Sequence, residues 1–278
     1  MKKLLTCGCF LLFALPFALP PAYAKPLAAS AQTTPEPDLL TLAHSHNDYE
    51  HPRPLQDALQ QGFHSVEADI WLVEGELLVA HDKGAYKGSL KELYLDPLQE
   101  LVTQKGSVHG DGKPFLLWID IKDGSQDLNP ALETLLANYP MLTVFTDEKV
   151  EEGSVTAILT GDTDSKTRHV KSFSPRRVCR DGGYSKDDPK ADNKWTWIAV
   201  SWDSLFKWKG EGEIPKKEKE DLVALLADVH VKGRKIRFWG NPDVEAFWKL
   251  GVDVGLDLIN TDRLEELHEF LANYKPTE

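Results

Sequence analysis

Between Leu39 and Asp82 the stretch LLTLAHSHNDYEHPRPLQDALQQGFHSVEADIWLVEGELLVAHD gathers histidines and carboxylates at spacings that can do chemistry. Glu67 and Asp69 lie two apart in the β-branched and aromatic run HSVEADIWL, so on a strand both carboxylates point to one face. Two like charges at about 5 Å cost energy unless a shared proton, water or a cation offsets the repulsion, and a hard divalent cation with oxygen ligands does so. Asp120 and Lys122 repeat the spacing in the apolar run PFLLWIDIK. The expected centre is one divalent cation, Mg2+ or Ca2+, on Glu67, Asp69 and Asp120, with Lys122 stabilising negative charge that develops on a substrate. Histidines titrate near pH 6.5, so His44, His46 and His81 are the candidates for moving protons.

The elements that must position these groups alternate between strand and helix. Leu39 to Ala43 reads as a short first strand, and HPRPLQDALQQG as a helix ending at Gly62. The second strand carries Glu67 and Asp69. Val73-Glu74-Gly75-Glu76 then turns the chain back through LLVAH and returns His81 to the same end. Leu90 to Lys105 reads as helix, Phe115 to Ile121 as strand three, and Asn129 to Asn138 as helix. Strands four to six are expected at Leu142 to Thr146, Val155 to Thr160 and Thr196 to Ser201. After a helix over Lys216 to Val231 come strand seven at Ile236 to Trp239, a helix opened by Asn241-Pro242-Asp243 and running to Leu250, and strand eight at Val252 to Ile259. The charged, glycine-rich segment Asp162 to Lys194 reads as a long loop over one face. Such alternation implies a parallel sheet, and eight pairs imply a single (β/α)8 TIM barrel over 39–275. Barrel enzymes place chemistry at the carboxyl ends of strands, where these candidates fall.

Ala43-His44 at the end of a hydrophobic strand, followed by DALQQGFHSVEAD, VAHD and IDIK, resembles the glycerophosphodiester phosphodiesterase and phosphatidylinositol-specific phospholipase C superfamily. HSHNDYEHPRPL most resembles its branch related to altered inheritance of mitochondria protein 6, and GVDVGLDLINTDR is similar to the family's last strand. The resemblance implies a PLC-like phosphodiesterase barrel, and a phosphoric diester hydrolase with two catalytic histidines, acting on a glycerophosphodiester or phospholipid-like substrate. His81 matches the second histidine of the family. For the first, His44 matches the glycerophosphodiesterases, whereas His46-Asn47 matches the phospholipase pattern in which the asparagine touches metal. Both histidines stay open, with Asn47 a candidate fourth ligand. H-R-G and E-N-T are absent from the corresponding positions, a departure from the glycerophosphodiesterases. Trp202 and Trp239 follow strands six and seven, where an aromatic could stack on substrate; Trp208 reads as partly core. Arg237 shares a face with Trp239 and is open to two readings, contact with phosphate or a pair inside the barrel. His51 and His64 read as surface or packing residues.

MKKLLTCGCFLLFALPFALPPAYA, residues 1–24, reads as a cleaved signal peptide, with export to periplasm or medium, and 25–38 as a disordered tether. Pro16, Pro20 and Pro21 interrupt the apolar run and argue against an uncleaved anchor, so stable membrane insertion is not expected. Without that segment 254 residues remain, close to the roughly 250 of one barrel. They carry 30 basic and 44 acidic residues, a net charge of −14 that argues against nucleic acid as partner. A monomer acting on a small-molecule or lipid phosphodiester is expected. Only Cys179 survives processing, so the exported chain has no internal disulfide. Two rival readings remain. His44-Ser45-His46 is also the H-x-H of metal-dependent amidohydrolases, although the expected later strands offer no further histidine at their ends. The other rival is a non-catalytic barrel that binds a ligand.

Overall fold

The computed structural model describes residues 38–276. The expected signal segment, and the expected tether apart from Asp38, lie outside the described residues. Asp38 itself caps a 3-10 turn, Leu39–Leu42, by accepting a hydrogen bond from the Leu40 N–H at 3.2 Å.

Strand β1 (Ala43–Ser45) leads through helix α1 (Gln56–Gln60) to the long strand β2 (Ser65–Val73). Glu74 and Gly75 both have positive φ, 51° and 86°, as a two-residue hairpin turn requires. They turn β2 into the antiparallel strand β3 (Glu76–Val79), which pairs in turn with β4 (Gly88–Ser89). A π-helical turn, Lys91–Leu95, runs into α2 (Asp96–Lys105), followed by β5 (Phe115–Ile121) and α3 (Leu128–Leu136). The short strands β6 (Val144–Phe145) and β7 (Val150–Glu151) pair with each other as a small sheet, and Phe145 also bridges Arg176. Beyond them come β8 (Val155–Gly161), α4 (Thr163–Ser172), β9 (Val178–Gly182), β10 (Trp195–Ser201) and the short α5 (Trp202–Leu205). The chain continues through α6 (Lys216–Val231), β11 (Lys235–Trp239), α7 (Glu245–Val254), β12 (Ile259–Thr261) and α8 (Leu264–Asn273).

Eight of these strands form one parallel path in the order β11-β10-β9-β8-β5-β2-β1-β12, so the last strand lies beside the first. This is the (β/α)8 architecture. Among the described residues no strand ladder joins β11 to β12; the Asn241 side chain spans that seam by donating to Asn260 O at 3.2 Å. Alternation sorts each strand into two faces. On β5, Leu117, Ile119 and Ile121 pack in the large outer core, whereas Trp118 joins Ile158, Cys179, Trp197 and Leu258 in a separate inner cluster. Helix α6 covers the outside with Leu222, Leu225, Leu226 and Val229, one buried stripe at helical spacing.

Four segments depart from the sequence reading. Leu39–Leu42 is a turn rather than a strand. Its leucines pack on the core from outside, and so short an apolar run carries no decisive period. Leu142 to Thr146 is not a barrel strand: it makes one bridge to Val155 and then forms the β6–β7 hairpin. The fifth barrel strand is instead β9, inside the segment read as loop and preceded there by α4. Finally, α7 continues through Val252 to Val254 and stops at Gly255, whose φ of 79° ends the helix, so strand eight begins only at Ile259.

Candidate active site

The inward positions at the carboxyl ends of β2 and β5 bring the acidic residues together. Asp69 pairs in register with Asp120, and one carboxylate oxygen from each of Glu67, Asp69 and Asp120 lies within 4.8 Å of the others. Asp69 is fully buried. Its Oδ2 accepts hydrogen bonds from Tyr49 Oη at 2.7 Å and from Lys122 Nζ at 2.9 Å, and Lys122 also donates to Asp120 Oδ2 at 3.2 Å. Asp69 Oδ1 and Asp120 Oδ1 are buried with no hydrogen-bond partner among the described residues. Burial, reinforced by the Glu67 and Asp69 charges, pushes the Asp120 carboxyl up to about 7, and burial with the Glu67 charge raises Asp69. For Lys122 burial pulls the other way, but the two aspartates outweigh it and raise its pKa. Orphaned, closely spaced carboxylate oxygens are the donor set of a hard divalent cation, so the residues present fit such an ion.

Glu67 differs from the two aspartates. Burial would raise its carboxyl, but the Arg237 guanidinium, bonded through Nη1 to Oε2, holds it well below the usual carboxylate range. The same Nη1 lies 2.9 Å from His44 Nε2. His44 Nε2 thus sits between this donor and an acceptor, Glu67 Oε2 at 3.2 Å, while its Nδ1 lies 2.7 Å from Ser65 Oγ. His44 is fully buried, and burial lowers its pKa to about 4. The imidazole is neutral, with both nitrogens engaged.

His46 has a different setting. It lines a cavity of about 560 Å3 at the barrel mouth, and Asp262, just beyond β12, holds its Nδ1 at 3.0 Å. Burial pulls the His46 pKa down, but the Asp262 hydrogen bond and the Glu67 charge outweigh it and the net shift is upward. His81 reaches the same cavity by the β2–β3 hairpin, half exposed, with Asp82 Oδ1 at a loose 3.4 Å. Asn47 lines it too, in the left-handed region at φ 45°, with its Oδ1 3.2 Å from Tyr49 Oη. Trp239 is 49 % exposed at the rim. Trp202 must be corrected. It is fully buried among Phe206, Phe238 and Phe247, with its indole N–H donating to Trp208 O at 2.8 Å. Strand β10 ends at Ser201, and Trp202 opens helix α5 with its indole packed in the outer core rather than at the mouth.

Of the two readings open for Arg237, the structure shows a pair inside the barrel, with Glu67. Two features escaped the sequence reading. Lys166 on α4 pairs with Asp181 on β9 at 2.5 Å, both buried on the far wall of the cavity, in the segment read as loop. Gly161, at the end of β8, packs against Asp120 so tightly that a Cβ there would collide with Oδ1. The H-x-H reading finds no support in this geometry, because His44 is spent on Ser65 and Arg237 while His46 turns to Asp262. A larger cavity, about 970 Å3, opens at the amino ends of the strands beside Leu116, Met141, Phe145 and Trp197. It lies opposite the carboxylate cluster, away from the end where barrels place their chemistry.

An eight-strand parallel barrel with a carboxylate cluster at its mouth defines the PLC-type (β/α)8 class. A glycerophosphodiester phosphodiesterase from Agrobacterium tumefaciens str.C58 has a similar fold, with a TM-score of 0.52 and 14 % identity over 84 % of this chain and 100 % of that one. Residues 38–178 match the AIM6-like phosphodiesterase domain, and the chain belongs to that family of phosphodiesterase-type hydrolases. Altered inheritance of mitochondria protein 6 of Eremothecium gossypii is 28 % identical over 283 residues, covering 87 % of this chain and 72 % of the relative. Its namesake in Lachancea thermotolerans is 29 % identical over 275 residues, 81 % of this chain and 64 % of the relative. The Saccharomyces cerevisiae S288c protein is 27 % identical over 270 residues, 80 % and 68 %. The chain therefore spans 64 % to 72 % of the length of these relatives. Among the described residues no helix is long and apolar enough to cross a membrane.

Proposed function

We propose that the protein hydrolyses a small-molecule or lipid-like phosphodiester with one divalent cation, Mg2+ or Ca2+, and with His46 and His81 moving the protons. The observation that carries this reading is the pair of partnerless buried oxygens, Asp69 Oδ1 and Asp120 Oδ1, beside a cavity lined by both histidines. Glu67, Asp69 and Asp120 would hold the cation, whose chemistry when bound is neutralisation of charge on a phosphoryl oxygen. His46, with Nδ1 fixed by Asp262, has Nε2 free to take the proton of the attacking hydroxyl, and Asp262 stabilises the imidazolium that forms. His81 donates to the departing oxygen. Each transfer contributes about 10² to 10⁴ in rate. Tyr49 and Lys122 keep Asp69 oriented, and Trp239 offers an apolar face to whichever alcohol leaves by the rim. His44 takes no proton in this scheme; it stiffens the Arg237–Glu67 pair. The composition of residues 1–24 supports action outside the cytoplasm, and the acidic charge supports a substrate other than nucleic acid.

The test is hydrolysis of bis(p-nitrophenyl) phosphate and a panel of glycerophosphodiesters and lysophospholipids, with EDTA, Mg2+ or Ca2+, by wild type, Asp120→Asn and His46→Ala. Turnover that needs the cation and falls by at least about 10² in each variant supports the reading. No turnover on any substrate, with a divalent ion still bound by calorimetry, overturns it in favour of a binding barrel.

A further inference from the structure

Resting on that reading, we propose that Arg237 is the residue that binds the substrate's phosphoryl group. The role was expected of Lys122, but its ammonium is committed to two carboxylates, Asp69 at 2.9 Å and Asp120 at 3.2 Å. Lys166, the other lysine on the cavity wall, is committed to Asp181. Arg237 also lines the cavity, and it is committed through one nitrogen alone: Nη1 serves both Glu67 Oε2 and His44 Nε2. Among the described residues Nε is buried without a partner, and no hydrogen bond leaves Nη2.

Unused donors on a buried guanidinium are costly unless an acceptor arrives. The Nε–Nη2 edge is the fork that matches two oxygens of a phosphate. Little adjustment is left for the residue to make. Its guanidinium carbon lies 4.0 Å from the centre of the Trp118 ring, which is itself braced edge-on by Trp197 and His44. Glu67 thus does two things, offering an oxygen to the cation and anchoring the guanidinium that receives the phosphate. A phosphoryl group held by this guanidinium would bring its negative oxygens beside the carboxylates that would hold the cation, whose charge would offset their repulsion.

The experiment reads anion binding separately from turnover. Inorganic phosphate is titrated calorimetrically into Mg2+-loaded wild type, Arg237→Lys and Lys122→Met. Arg237→Lys keeps the charge and loses the fork, so phosphate affinity should fall about tenfold or more, and further than in Lys122→Met. Wild type that binds no phosphate, an Arg237→Lys affinity within threefold of wild type, or a larger loss in Lys122→Met would overturn the assignment. Turnover lost in Arg237→Lys at unchanged phosphate affinity would also overturn it, leaving Arg237 as a positioning residue for Glu67. Should Arg237→Lys not fold, 15N-arginine-labelled wild type replaces it: phosphate must shift a buried guanidinium resonance, and silence of all of them refutes the proposal. Phosphate binding through Arg237 with no diester hydrolysed would refute the hydrolase reading alone.

Discussion

Replacing Gly161 with alanine should cripple the carboxylate cluster without replacing any of its side chains. Gly161 closes β8 with a φ of 80°, a left-handed conformation that costs an alanine about 1–2 kcal/mol. Its Cβ would collide with Asp120 Oδ1 and lie 2.6 Å from Ile121 O and 2.8 Å from Ile121 N. Rotating Asp120 away relieves only the first contact, since the other two are backbone of β5, the strand hydrogen-bonded to β8 from Phe115 to Ile121. Overpacking of this kind costs about 1–3 kcal/mol, for a total of about 2–5 kcal/mol. In a domain of this size each kcal/mol is worth about 2–4 °C, so Tm should drop by about 4–20 °C. Displacement of the Asp120 carboxylate should also weaken Mg2+ binding by about 10- to 100-fold, the usual penalty for disturbing a ligand's support. Scanning calorimetry and Mg2+ titration read the two effects on the same sample. A variant within about 2 °C of wild type, half the smallest expected shift, and with unchanged Mg2+ affinity would refute the reasoning, because strand β5 would then have absorbed the methyl group freely.

Saturating wild type with Mg2+ at about 100 times its Kd should add about 2.7 kcal/mol of stability, a Tm rise of about 5–11 °C, and Asp120→Asn should lose most of it. Burial pushes the Cys179 thiol up to about 11, so at pH 8 only about one molecule in a thousand carries the thiolate. Iodoacetamide should leave Cys179 unmodified in the folded protein and label it in urea, as read by peptide mass spectrometry. Trp202→Ala should cost about 3–5 kcal/mol in urea unfolding while preserving kcat/KM per folded molecule. Trp239→Ala should do the reverse, changing stability by less than about 0.5 kcal/mol and raising KM.

The acidic part of the site was legible because strand geometry writes it into sequence. A spacing of two placed Glu67 with Asp69, and Asp120 with Lys122, on common faces, and the hairpin turn at Glu74-Gly75 returned His81 to the mouth. Strand β9 was hidden for a physical reason: VCRDG alternates Cys179 and Asp181 inward with Val178 and Arg180 outward, and a strand that spends an inward position on a pocket charge no longer looks apolar. The fates of His44 and His46 were beyond local pattern altogether. They depend on Arg237 and Asp262, which lie roughly 200 residues further along and reach the histidines only once the barrel closes.

The seam between β11 and β12 has a consequence for the order in which the working parts come into existence. Every carboxylate of the cluster is carried by the first half of the chain, whereas Asp262, which turns His46 toward the cavity, follows the strand that must swing across the seam and dock against β1. A chain leaving the ribosome therefore carries all three carboxylates long before it carries Asp262, the partner of His46. Among the described residues β12 is fastened by a ladder on its β1 side alone, so its docking there is the step that completes the mouth: until it occurs, His46 lacks Asp262.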